Sequence, residues 1–136
     1  MELIIAMRFK EERKMNINEY QELAMRTNDG KCTERLNGAI KNGEGLVDVG
    51  GIINALLGLS GEVGEVTDMI KKYIFHGHEM TEAEIQKEIG DVCWYIAMLC
   101  ESFGFELDRI MQNNINKLKN RYPEGFSESA SINRKE

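Results

Sequence analysis

The sequence predicts an all-α, four-helix-bundle-like domain. Three observations carry this expectation. Apolar residues recur at helical spacing over four stretches. Val, Ile and Thr rarely alternate with polar residues over any length, which disfavours strands. The single proline, Pro123, follows the last of the four stretches and interrupts none of them. At 136 residues the chain is one domain with a small core. Hydrophobic residues make up 42% and charged residues 29%, the balance of an ordinary globular protein, so the class must be read from pattern. The net charge of −6 argues against a nucleic-acid polymer as partner.

Taken in order, residues 1–14 begin apolar and end highly charged, and Met15 reads as a fresh start, so 1–14 is set apart as an N-terminal extension. The main domain is expected over 15–123. Asn16 or Asn18 can cap a first helix, with Glu19 or Gln21 three residues on. That helix runs to about Thr27, with Ile17, Tyr20, Leu23 and Ala24 inward, and Asn28-Asp29-Gly30 ends it. Residues 30–51 hold six glycines and read as a loop-rich connection with a short helix over Glu34–Ile40. A second helix is expected over Ile52–Phe75. His76-Gly77-His78 closes it, and that His-x-His is read as helix-end chemistry in preference to a metal site. Thr81 and Glu84 form a capping box for a third helix, Glu82–Phe103, which Gly104 breaks. A fourth helix spans Glu106–Arg121, and residues 124–136 form a polar tail expected to be disordered.

Cys32, Cys93 and Cys100 have no metal-type spacing and fit small core or near-core thiols in a reducing compartment. No apolar run is long enough to span a membrane, and Met1–Met7 is too short for a secretory leader. A cytoplasmic protein without a membrane partner is the expectation.

The chemistry concentrates between Gly58 and Tyr95. Glu62 and Glu65 lie three residues apart, as do Glu88 and Asp91. In a helix each pair projects within about 60° of arc, with Cβ atoms roughly 5–6 Å apart. Leu56, Leu59, Val63, Val66, Ile70, Tyr73 and Ile74 form the apolar arc of the second helix. Ile85, Ile89, Val92, Ile96 and Leu99 form that of the third. Both acidic pairs border these arcs. Single pairs of this kind are common surface features, but two on successive helices, each with Gly just before the second acid, are not ordinary. Four carboxylates at a partly buried seam either take up protons or hold a cation, and all-oxygen ligation suits Mg²⁺ or Mn²⁺.

On the fourth helix, Asn114, Lys117 and Arg121 follow one border of the arc made by Leu107, Ile110, Met111, Ile115 and Leu118. Basic residues near a helix end are favourable in their own right. Beside a carboxylate metal site, Lys117 and Arg121 also read as a clamp for phosphate oxygens. Di-iron chemistry is disfavoured, because neither acidic pair is followed by a suitably placed His. Walker A and dinucleotide-binding turns are absent, and no Ser or Cys nucleophile sits beside a plausible His base. Metal-assisted attack of water on a phosphate ester or anhydride remains.

The stretches GLSGEVGEV, EIGDVCWYIA and KLKNRYPEGF resemble the MazG-like nucleoside triphosphate pyrophosphohydrolases, a branch of the all-α NTP pyrophosphatase superfamily. The resemblance covers about Asn18 to Phe126. It implies cleavage of a nucleoside triphosphate between its α and β phosphates, in nucleotide-pool housekeeping. It also implies Glu62, Glu65, Glu88 and Asp91 as Mg²⁺ ligands, Lys117 and Arg121 as phosphate-binding groups, and Tyr95 at the base and sugar pocket. Asn114, on the same helix border as Lys117 and Arg121, is grouped with them among the substrate-binding residues. One of the four carboxylates, with Glu65 named first, is expected to orient or deprotonate the water. A homodimer or homotetramer is implied, because the family builds its sites from more than one chain. The alternatives are a non-catalytic helical interaction protein, against which the four intact carboxylates argue, and phosphoribosyl-ATP hydrolysis.

Overall fold

A computed structural model describes residues 16–43 and 47–133, and every described element is helical. The helices are α1 (Ile17–Met25), α2 (Cys32–Asn42), α3 (Val49–His76), α4 (Glu82–Phe103), α5 (Leu107–Arg121) and α6 (Glu128–Ile132). The expected extension, residues 1–14, lies outside the described residues.

Local chemistry explains the boundaries. Asn16 caps α1, its side chain accepting from the Glu19 amide at 2.9 Å. After α1, Asn28 and Asp29 accept from the Gly30 and Lys31 amides two residues on, a pair of side-chain turns, and Arg35 on α2 pairs with Asp29. The helix α2 extends two residues beyond the expected 34–40 at each end. The helix α3 begins at Val49, earlier than Ile52, because Asp48 caps it by accepting from the Gly51 amide at 2.9 Å. The capping box is present at α4: the Thr81 hydroxyl accepts from the Glu84 amide, and Glu84 accepts from the Thr81 amide. Gly77 and Gly104 end α3 and α4 in the left-handed region, each at φ 69°, where a side chain would be strained. Within the tail expected to be disordered, Ser127 caps the short α6.

The chain divides into two compact units, Met1–Gly38 and Ala39–Glu136. In the second, α3 and α4 run antiparallel against each other. At one end the Asp48 amide donates to the Ser102 carbonyl at 2.9 Å. Further along, Asn54 donates to the Met98 sulfur at 3.7 Å. Next, the Tyr95 ring lies so close over Gly58 that a Cβ there would fall 2.1 Å from it. Glycine at 58 is therefore what lets the two helices meet at this point. Leu59 and Val66 of α3 and Ile85, Val92, Ile96 and Leu99 of α4 are half-buried, while Ala55 and Cys100 are the buried hydrophobic side chains among the described residues. Of the three cysteines only Cys100 is interior; Cys32 and Cys93 are exposed.

Candidate functional site

The α3–α4 register decides which carboxylates meet. Asn54 faces Met98 and Gly58 faces Tyr95, so each turn forward along α3 answers one turn back along α4. One further turn sets Glu62 across from Asp91, and the next sets Glu65 across from Glu88. The structure accordingly gathers Glu62, Glu65 and Glu88: one carboxylate oxygen from each lies within 4.8 Å of the others. Asp91 stands outside that trio, half-buried one turn along α4.

Burial grades the group. Glu65 is exposed, Glu62 half-buried, and Glu88 only 8% exposed. Glu88 Oε1 accepts from the Lys87 ammonium at 2.8 Å, whereas its Oε2 is shut off from solvent without a hydrogen-bond partner. Partial burial pushes the Glu62 carboxyl above its usual range, and the charges of Glu65, Asp91 and Glu88 push it further, against a smaller opposing pull from Lys87. Asp91 thus belongs to the same electrostatic cluster although it lies outside the tight trio. An orphaned buried oxygen, a disfavoured negative charge and an all-oxygen donor set fit a hard divalent cation.

A cavity of about 440 Å³ opens beside the trio, its wall including Gly61, Gly64, Glu65, Asp68, Lys72 and Glu88. Two glycines form part of its wall, leaving room for a ligand next to the carboxylates. Lys72 and Lys71 both pair with Asp68, which pulls the Asp68 carboxyl down to about 2. A larger cavity, about 540 Å³, sits at the α4–α5 turn beside Phe105, Arg109 and Ile110. It holds no member of the cluster, and chemistry therefore assigns the site to the smaller cavity.

The remaining expected site residues occupy different places. Tyr95 is half-buried with its ring over Gly58 and edge-on to Trp94 at 4.9 Å. Asn114 and Lys117 are exposed on α5 and Arg121 is half-buried at its end; among the described residues no ion pair joins Lys117 or Arg121 to the carboxylates. Sequence reasoning missed Lys87, which bridges Glu88 and Asp91, and Lys72, which lines the cavity. Lys87 was legible as the residue four before Asp91, but it lies off the apolar arc, where a charged residue is ordinary.

The geometry defines a helical carboxylate cluster that could hold a divalent ion. Residues 52–126 match the MazG nucleotide pyrophosphohydrolase domain, and the chain belongs to that family. It is also similar to the Gene 37 protein of Mycobacterium phage L5, 34% identical over 101 residues that cover 71% of this chain and 89% of the relative, whose name states no activity. No solved structure matches the chain.

Proposed function

We propose that the protein is a Mg²⁺-dependent nucleoside triphosphate pyrophosphohydrolase that releases a nucleoside monophosphate and pyrophosphate. The observation that supports this reading most is the meeting of Glu62, Glu65 and Glu88 within 4.8 Å beside a cavity walled by Gly61 and Gly64. Glu62, Glu65, Glu88 and, through its charge, Asp91 would hold Mg²⁺, with Mn²⁺ as a substitute. Bound there, a divalent ion supplies charge neutralisation and Lewis acidity toward phosphate oxygens.

The chain's own groups do the rest. Glu65, the most exposed of the trio, orients the attacking water and accepts its proton as the new P–O bond forms. The bond between the α and β phosphates breaks and its electron pair leaves with pyrophosphate. Lys117 and Arg121 stabilise that leaving charge, and Asn114 and Tyr95 contact the nucleoside end.

A homodimer or homotetramer completes the proposal. In the described chain Phe75 is 75% and Leu57 70% exposed, and Ile110, Ile115 and Leu118 along the apolar face of α5 are exposed as well. Such a run of uncovered apolar surface fits burial against further copies, which would bring basic groups from one chain to the carboxylates of another. No helix among the described residues is long and apolar enough to cross a membrane, and we place the enzyme in the cytoplasm without membrane or nucleic-acid partners.

A screen of pyrophosphate release across ribo- and deoxynucleoside triphosphates with Mg²⁺, alongside phosphoribosyl-ATP, tests the reading. Equimolar monophosphate and pyrophosphate from at least one triphosphate is the expected result. No release from any of them, with Mg²⁺ or Mn²⁺, would leave a helical interaction protein as the better account.

A further inference from the structure

We propose that Lys87 is a built-in counter-cation of the carboxylate centre: its ammonium competes with the divalent ion for Glu88 and Asp91 and so sets the affinity for metal. The inference rests on the metal reading above.

Three observations carry it. The Lys87 ammonium lies 2.8 Å from Glu88 Oε1 and 3.5 Å from Asp91 Oδ2, and these are its polar partners among the described residues. It therefore neutralises the acids that α4 contributes, including the most buried of the four. Its own side chain is 69% exposed while that of Glu88 is 11% exposed, so the lysine can return its charge to water at little cost whereas the glutamate cannot. The placement is also a poor helix-stabilising device. A basic residue four positions before an acid is the weaker orientation of such pairs, and residues one apart do not share a helix face. An ordinary surface ion pair would gain little here; a cation held over a buried carboxylate answers a charge problem specific to this seam.

Metal and ammonium then make opposing claims on one pair of acids. A divalent ion taking Glu88 into the Glu62–Glu65 group must displace the ammonium from Oε1 or bind beside it against like-charge repulsion. Both routes weaken metal binding relative to a chain without the lysine charge. In return the metal-free protein is spared part of the repulsion among the carboxylates. Lys87 acts through Glu88 and Asp91 and is in this sense a positioning residue.

The test is a titration of the full chain with Mn²⁺, free ion being counted by its EPR signal, for wild type, Lys87→Met and Lys87→Arg, each also melted without metal. Lys87→Met keeps the apolar stem and loses the charge. Its Kd should fall by about three- to tenfold, the effect of one partly screened charge, and its metal-free midpoint should drop. Lys87→Arg should bind within about twofold of wild type, since it keeps the charge. A Lys87→Met protein with unchanged or weaker Mn²⁺ binding overturns the proposal, as does a Lys87→Arg protein that tightens like the methionine variant, because shape and not charge would then be responsible. If wild type binds Mn²⁺ and only the predicted difference is missing, the metal reading stands without the exchange. If none of the three proteins binds Mn²⁺, both fall together.

Discussion

Glu62 illustrates how one side chain registers the whole centre. Its carboxyl is raised from 4.5 by partial burial and by Glu65, Asp91 and Glu88. The folded chain therefore binds that proton more tightly than the unfolded chain. Stability from this group is greatest at low pH and is lost as pH rises from 4.5 through the raised value. Asp68, drawn down to about 2 by Lys71 and Lys72, acts in the opposite sense: its contribution is present above 3.8 and fades as pH falls toward 2. Metal-free melts between pH 4.5 and 7 should show wild type losing stability relative to Glu62→Gln as pH rises, because the amide carries no titrating charge. Parallel curves for the two proteins would remove Glu62 from the cluster. The basic groups of α5 give a second check at this scale. Lys117→Ala and Arg121→Ala should each lower kcat/KM by about tenfold or more, the value of a charge-assisted contact, with little change in melting. Wild-type kcat/KM in both variants would remove the clamp.

Among the elements, α4 was the most legible, because Thr81, Glu84 and Gly104 act through backbone groups a few residues away and need no partner helix. The start of α3 was less so: Gly50 and Gly51 read as loop, while the Asp48 cap and its tie to Ser102 depend on α4 being in place. The pairing of α3 with α4 was expected from their apolar arcs, but its register was not, since Gly58 under Tyr95 is a contact that no periodicity encodes. That contact predicts a contrast between two glycines on one helix. Gly58→Ala should destabilise by about 1–3 kcal/mol through overpacking against the ring, offset in part by helix propensity. Gly61→Ala, where an added Cβ meets nothing within 4 Å, should gain roughly 0.5–1 kcal/mol from propensity alone. Thermal melts that rank the two variants the other way would refute the register.

For the whole molecule, Ala55 and Cys100 are the buried hydrophobic side chains among the described residues, and the large Leu57, Phe75, Trp94 and Phe126 are among those left exposed. The sequence already hinted at this, having more amphipathic helix than one 136-residue core can absorb. It could not say which faces remain open, because that depends on which helices pair within the chain. Light scattering at micromolar concentration should give the mass of a dimer or tetramer; a monomer alone would contradict assembly through these faces. The carboxylates were legible as a candidate set from their spacing, and three of them, Glu62, Glu65 and Glu88, lie together in the fold. The division into a tight trio plus Asp91 was not, since it follows from the crossing of two helices and from Lys87. The most direct test of the proposed catalytic centre is pyrophosphate release by Glu65→Gln at saturating Mg²⁺, using the nucleotide that wild type turns over fastest. Turnover should fall by about a hundredfold or more, the usual worth of a positioned general base, in a protein whose metal-free melt equals or exceeds that of wild type because one repelling charge has gone. A Glu65→Gln protein that releases pyrophosphate within a few-fold of the wild-type rate would contradict the account.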